Sequence, residues 1–281
     1  MAMQPITLTS GMRANLVSLQ HTNSLMEVTQ KRLATGKKVN SALDDPVAYF
    51  TAVAHEQRAT DLASRKDEMS EAVQLVKAAD TGIQSIKTLI AAAKSLATSA
   101  LSADSTAAGQ LATQYNQVLT QIDQMRDDSG YKGVNLLTTA SNGSLKVKFD
   151  ETGDSSLSLN GFNAGAVTGL GLVEASGTNQ WTSGTSIVTT AVEAAITALD
   201  KAMITLRTES SKLANNLSII TARQEFTQGM INVLKDGAAN LTNADMNEEG
   251  ANMLMLQTRQ ALGTTSLSLA SQAAQSVLRL F

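Results

Sequence analysis

The amino-acid sequence predicts a mainly α protein, built as a long coiled-coil-like helical hairpin with a small β hairpin region. Apolar residues make up 43% of the 281 residues but aromatic residues only 3%, a composition that favours helices packed along seams over a core around a pocket. Only two prolines occur, Pro5 and Pro46, so long uninterrupted helices are allowed. Apolar residues also recur at heptad spacing in several long segments.

The first predicted helix carries one stripe along a single face, because its members alternate spacings of four and three residues. The stripe consists of Met12, Leu16, Leu19, Asn23, Met26, Gln30 and Leu33. Gly36 is suited to end this helix as a C′ glycine. A second helix begins at Pro46, where a missing N–H costs nothing, with Asp45 as its N-cap.

The second helix is predicted to run to about Ala100 and to carry two adjacent apolar seams, so it needs more than one packing partner. A turn at Ser102 to Ser105 leads to a third helix, which folds back antiparallel and ends before Gly130. Beyond Gly130 the chain becomes rich in Gly, Ser, Thr and Asn. Leu145, Val147 and Phe149 alternate there with polar residues, as do Leu157 and Leu159, which predicts a β hairpin. The position of Trp181 is not predicted.

The longest heptad run predicts a coiled-coil helix. It comprises Ile196, Leu199, Met203, Leu206, Ser210, Leu213, Leu217 and Ile220. A final helix is expected to follow a break at Asn247 to Gly250, and no acidic residue occurs after Glu249. Both ends of the chain thus carry helices whose apolar stripes have no obvious partner within the chain.

Composition and charge exclude several classes of function. The formal net charge is −3 with no basic stripe, which argues against nucleic acid as a partner. No stretch approaches 18 apolar residues, so a membrane partner is not expected either. The N-terminus lacks the apolar segment of a secretory signal, so any export would use another route. There is no cysteine and therefore no disulfide or thiolate metal site.

Catalytic, metal and cofactor sites find little support. His55 and Glu56 begin a possible zinc motif, but Ala59 stands where the second histidine is needed. Gly169 and Gly171 do not form a dinucleotide loop. Asp44 and Asp45 could be a carboxylate pair, but their place before Pro46 makes helix capping the better interpretation. No enzyme activity and no cofactor are expected.

Three segments together resemble the bacterial flagellins. RLATGKKVNSALDD, at Arg32 to Asp45, is similar to the flagellin N-terminal block, and GYKGVNLL, at Gly130 to Leu137, is similar to a second flagellin motif. The segment from Leu241 to Phe281 looks like the flagellin C-terminus, especially the short alphaproteobacterial kind that ends in Leu-x-Leu-Phe. The resemblance covers roughly residues 1 to 137 and 190 to 281.

The resemblance implies a structural subunit that polymerises into the flagellar filament for swimming. It also implies an extracellular location, export by the flagellar type III apparatus without a cleaved signal peptide, an export chaperone and a filament cap. Alternatives are a hook-filament junction protein and a secreted surface adhesin that uses residues 138–189. The assembly interface is expected to involve apolar residues of both terminal helices: Leu16, Leu19, Met26, Leu33, Leu262, Leu269, Val277, Leu278 and Phe281.

Five segments are expected from these patterns. The two ends of the chain form inner-core helices, and they flank two helical core segments and one exposed β hairpin region. In chain order the segments are 1–44, 45–137, 138–189, 190–244 and 245–281.

Overall fold

The structure is a computed structural model that describes residues 10–278, apart from the side chains of Ala274, Val277 and Leu278. The described chain is mainly helical, and two short antiparallel strand pairs lie between its third and fourth helices, so the predicted fold class is confirmed. The helices are α1 Ser10–Thr35, α2 Pro46–Ala100, α3 Ser105–Asp128, α4 Thr189–Thr242 and α5 Met246–Leu278. The strands are β1 Ser144–Lys148, β2 Ser156–Asn160, β3 Thr182–Ser183 and β4 Ser186–Ile187.

The predicted ends of the first two helices are confirmed. Gly36 follows α1 with a φ of +68°, a left-handed conformation that suits glycine, and its N–H donates to the Arg32 carbonyl over 2.8 Å. The Ala48 N–H donates to the Asp45 carboxylate over 3.0 Å, so Asp45 caps α2 at Pro46.

The predicted break before the last helix is wrong in position. α4 ends at Thr242 and α5 begins at Met246, so Asn247 to Gly250 belong to the first turns of α5. Asp245 is the residue that starts this helix, because its carboxylate accepts the N–H of Asn247 over 2.8 Å. Acidic residues in the following turn, Glu248 and Glu249, also favour a helix N-terminus through the macrodipole. These two effects outweigh the helix-breaking tendency of Gly250.

The chain divides into two compact units. One consists of Met1–Gln57 with Val233–Phe281, and the other of Arg58–Asn232. Each is described by itself below.

Within the unit 58–232, α2 and α4 lie side by side and antiparallel. Hydrogen bonds join them in opposite chain directions: Lys66 donates to Gln228 over 2.7 Å, and Ser210 donates to Asp80 over 2.8 Å. Leu199, Leu206 and Ile220 of the predicted heptad run are fully buried, which agrees with a coiled-coil seam.

The β hairpin forms in the predicted place. β1 pairs with β2 antiparallel, with Leu145 opposite Leu159 and Val147 opposite Leu157. The guanidinium of Arg223 lies 5.2 Å from the centre of the Phe149 ring, and Arg58 forms a 2.7 Å ion pair with Glu151. The hairpin is therefore attached both to α2 and to α4.

The segment after the hairpin is organised by α3. Trp181 is buried against Tyr115, with ring centroids 4.8 Å apart. The Tyr115 hydroxyl donates to the Val173 carbonyl over 3.0 Å, and burial raises the pKa of Tyr115 to about 12. Sequence reasoning could not place Trp181 because neither helical nor strand periodicity marks this segment.

A change of Gly82 to Ala is expected to destabilise the unit 58–232. A Cβ at Gly82 meets the Ser129 side chain and lies 2.8 Å from Cδ1 of buried Leu137, so α2 and the loop after α3 must move apart. Overpacking of this kind costs about 1–3 kcal/mol of unfolding free energy. The fluorescence of Trp181, the only tryptophan, reports the unfolding of this unit in a urea titration.

The matched control is Gly109→Ala in α3, where an added Cβ meets nothing within 4 Å. This change should stabilise the protein by about 0.5–1 kcal/mol through helix propensity. Equal urea midpoints for the two variants would contradict the packing argument.

Candidate assembly surface

In the other unit, α1 and α5 lie side by side and antiparallel. The Asn15 side chain donates to the Ser266 hydroxyl over 3.1 Å, and Gln260 donates to Asn23 over 3.0 Å. Further along, the Arg32 guanidinium contacts Glu249. Residue numbers rise along α1 as they fall along α5, so the N- and C-terminal segments of the chain pack as a pair.

The two helices approach closely at one glycine. A Cβ on Gly263 would lie 2.6 Å from Cδ2 of Leu19, so only glycine lets Leu19 pack on the α5 backbone. Burial in the pair is otherwise slight. The buried side chains of α1 are Thr22 and Thr29, which carry little apolar surface.

A charged contact closes one end of the pair. The Arg32 guanidinium donates to Oε1 of Glu249 over 2.9 Å. The Glu249 side chain is 9% exposed and that of Arg32 is 38% exposed. The carboxylate is therefore better shielded from solvent than the guanidinium. Removal of the cation is costly, because it leaves a buried negative charge unpaired.

The two linkers beside this contact are joined by backbone hydrogen bonds. The N–H groups of Lys38 and Val39 both donate to the Thr242 carbonyl, over 2.8 and 3.2 Å, and the Ala244 N–H donates to the Gly36 carbonyl over 2.9 Å. Val39 is buried at this junction. The sequence gives no signal for this pairing, because it depends on two linkers about 200 residues apart in the chain.

Asp44 shapes the linker that leads into α2. Its Oδ2 accepts the N–H groups of Asn40 and Ser41, each over 2.9 Å. These backbone hydrogen bonds lower the pKa of Asp44, so the turn is intact at neutral pH and loses this stabilisation only as the pH falls through the lowered value. The capping interpretation therefore agrees with the structure for Asp45, whereas Asp44 stabilises the linker turn and does not cap a helix.

The structure places the residues expected in the assembly interface in three groups. Leu16, Leu262 and Leu269 are exposed, with Leu262 at 66%. Leu19, Met26 and Leu33 are half-buried. The side chains of Val277 and Leu278, and the whole of Phe281, lie outside the described residues.

The expectation that the terminal stripes lack a partner within the chain is wrong for Leu19, which packs on Gly263. The sequence reasoning also missed three apolar residues in the linker before α2 and in the first turns of that helix. Leu43, Val47 and Phe50 are exposed, and Leu43 is 97% exposed. Their spacing of four and three residues is a signal for one exposed apolar face, but the same spacing is also typical of any amphipathic helix.

Other kinds of site have no support in the described part of the chain. Between residues 10 and 278, no three His, Asp or Glu side chains are grouped so that they could hold a metal ion. None of the helices described is both long and apolar enough to span a bilayer. His55 lies beside Gly237, 3.7 Å from the position of a Cβ there.

Comparisons with known proteins agree with this description. A model of the bacterial flagellin N-terminal helical region matches residues 8–142, and a model of the bacterial flagellin C-terminal helical region matches residues 189–281. Flagellin FljK of Caulobacter vibrioides is 27% identical over the full length of both chains. A flagellin of Brucella melitensis is 27% identical over 99% of both chains. The crystal structure of Bacillus cereus flagellin has 18% identity and a TM-score of 0.48, covering 57% of this chain and 88% of that one.

The matched helical regions place the chain in a class of structural, filament-forming proteins rather than enzymes. The chain belongs to the bacterial flagellin family. It is a structural subunit of the flagellar filament, which lies outside the cell and serves swimming motility.

A change of Arg32 to Ala is expected to loosen the first turns of α5. The substitution leaves the buried carboxylate of Glu249 without its cation, which costs about 1–3 kcal/mol. Faster amide hydrogen exchange at Glu249 to Leu254 in the filament measures the effect. Arg13→Ala is the control, because Arg13 forms no ion pair with any residue between 10 and 278. Equal exchange in both variants would show that the ion pair does not stabilise the helix.

Proposed function

We propose that the α1 and α5 pair is the surface through which the subunit polymerises. Leu16, Leu262 and Leu269 remain exposed after the two helices have packed on each other, and this observation carries the proposal. Neighbouring copies cover these side chains in a head-to-tail arrangement that does not close, as a filament requires. We assign six further residues to this surface: Leu19, Met26, Leu33, Val277, Leu278 and Phe281.

The energetics favour contact between copies. Covering one exposed leucine contributes about 1.5–3 kcal/mol. Each subunit in a helical lattice has several neighbours, so a few such leucines on every copy provide enough apolar contact to hold a long polymer. The α1 and α5 pair buries little apolar surface within one copy. The apolar surface that stays exposed is available for contacts between copies.

A change of Leu262 to Ser should raise the critical concentration for polymerisation by about 10- to 100-fold, because each 1.4 kcal/mol of lost contact energy is a factor of ten. Sedimentation of polymer from seeded, purified protein measures it. Helix content should be unchanged, since Leu262 is exposed in the subunit.

Val167→Ser is the matched control. Val167 is also an exposed apolar residue, but it lies between the two segments that match the flagellin models. Its critical concentration should stay within about twofold of the wild type, as for a surface change away from any contact. An unchanged critical concentration for Leu262→Ser would contradict the proposed surface.

We further propose that the subunit leaves the cell through the flagellar type III export apparatus without cleavage, and that an export chaperone and the filament cap are its other partners. The family membership supports this route. So does the small amount of apolar surface that α1 and α5 bury in a single copy. Helices that are weakly held before assembly are easily threaded through a narrow channel and easily bound by a chaperone.

In the free monomer, α1 and α5 are expected to exchange amide hydrogens far faster than α4. The backbone of each ordered residue costs about 1–2 kcal/mol of conformational entropy, which the buried Thr22 and Thr29 do not offset. Hydrogen exchange of monomer and filament in parallel measures the difference, with Ile196 to Ile220 as the internal reference. If α5 in the monomer is as protected as that reference, the pair is an ordinary core and the assembly argument fails.

A further inference from the structure

A polar cleft of about 500 Å³ lies at the closed end of the α1 and α5 pair. Its lining includes five carboxylates and two cations, Arg32 and Lys38. The carboxylates are Asp44, Asp45, Asp245, Glu248 and Glu249. Three of them are already engaged with backbone N–H groups: Asp44 in its linker turn, Asp45 at the start of α2 and Asp245 at the start of α5.

The other two carboxylates can accept a further donor. Oε1 of Glu249 accepts a hydrogen bond from Arg32. Its Oε2 has no hydrogen-bond partner among the described residues, and the side chain is only 9% exposed. Glu248 is exposed and forms no ion pair with any described residue. A buried carboxylate oxygen without a donor is energetically costly, so the cleft favours a ligand that brings N–H groups.

Exposed apolar residues neighbour the cleft residues in sequence. Leu43, Val47 and Phe50 are exposed by 97, 77 and 61% and are interleaved in sequence with the cleft residues Asp44, Asp45 and Ala48. A ligand that fits here combines a planar cation with apolar side chains on both sides of it. Free metal ions lack the second property.

The same chain carries a surface of that description. On α5, Met255, Arg259, Leu262 and Leu269 share one helix face, because their spacings are four, three and seven residues. All four are exposed, and Arg259 forms no ion pair with any residue between 10 and 278. A guanidinium carries five N–H donors in a fixed fork, which matches two neighbouring carboxylates.

We infer that the cleft binds Arg259 of a second copy of this chain, with Leu262 and Met255 of that copy against Leu43, Val47 and Phe50. This contact rests on the proposed function, because it assigns one specific interface within the polymer. The complementary surfaces lie on different parts of the same subunit, so the contact is head-to-tail and propagates from copy to copy.

Charge reversal tests the contact. Arg259→Glu alone places a sixth carboxylate at the cleft and should raise the critical concentration about tenfold or more. Glu248→Arg alone should act in the same direction. The double variant Arg259→Glu with Glu248→Arg restores the opposite charges and should bring the critical concentration back to within about threefold of the wild type. Lys201→Glu, an exposed cation of α4 without an ion pair among the described residues, is the control and should have no effect.

A second measurement does not depend on polymer yield. Because the chain has no cysteine, Glu248→Cys with Arg259→Cys introduces the only two thiols. A bis-maleimide cross-linker applied to filaments should give a ladder of covalent oligomers on a denaturing gel. Filaments of the pair Lys201→Cys with Arg259→Cys should remain monomeric on the gel.

Two results would overturn the inference while the proposed function stands: an additive rather than compensating double variant, or filaments of the 248 and 259 cysteine variant that give no ladder. Saturable binding of Ca²⁺ or Mg²⁺ to the monomer, lost in Glu248→Gln, would identify the cleft as a cation site instead. If Leu262→Ser polymerises normally, the proposed function fails and this inference fails with it, whereas the two results above leave Leu262→Ser defective in polymerisation.

Discussion

The backbone hydrogen bonds between the two linkers fix how α1 lies against α5. Because Lys38 and Val39 donate to the Thr242 carbonyl, the last residue of α1 and the first residue of α5 start from fixed positions. Each helix then advances 1.5 Å per residue in opposite directions. Leu19 consequently meets Gly263 and Arg32 meets Glu249. The exposed face of the pair depends on this register, since a shift of one residue would rotate it by about 100°.

The two units of the chain differ in how much apolar surface they bury. In the unit 58–232, the helices share a continuous core in which Ile83, Tyr115 and Leu206 are fully buried. The α1 and α5 pair leaves Leu16, Leu262 and Leu269 exposed, and helices that bury so little are marginal by themselves. The unit 58–232 can be stable as a single copy, whereas under the proposed assembly the α1 and α5 pair gains its apolar contacts from other copies. A protein that is made as a monomer and used as a polymer needs both properties.

Much of the fold could be predicted from the sequence, because the signals involved are local. Pro46 and Asp45 mark a helix start, Gly36 marks a helix end, and alternating residues around Val147 mark a strand. The position of Trp181 could not be predicted, because its burial depends on Tyr115, 66 residues away in the chain. The break before α5 was misplaced because Gly250 is a strong local signal for a helix end. The true start depends on a single side chain, the carboxylate of Asp245, which accepts the N–H of Asn247.

For the candidate assembly surface, only the helix faces that carry apolar residues could be predicted from the sequence. Heptad spacing identified Leu16 and Leu262 as members of apolar stripes, but it could not separate exposed members from those that pack on the other terminal helix. That separation depends on the register of α1 against α5, which the linker hydrogen bonds determine. The cleft with Glu249 could not be predicted at all, since residues from four parts of the chain meet there: the end of α1, the linker into α2, the end of α4 and the start of α5.

The polar side chains that join α1 to α5 are explained by the same need for a single register. A seam of leucines alone would allow α1 to slide against α5 by a heptad with little loss of contact, as in coiled coils that lack a polar position. Asn15 with Ser266 and Asn23 with Gln260 form hydrogen bonds only in the observed alignment. These contacts add little stability, because they are exposed and replace hydrogen bonds to water. A slipped register, however, forfeits all of them together with the Arg32 and Glu249 contact. In a polymer, a slipped subunit would present its leucines at the wrong height to every neighbour, so a weak preference within one copy is multiplied by the number of contacts that the copy makes.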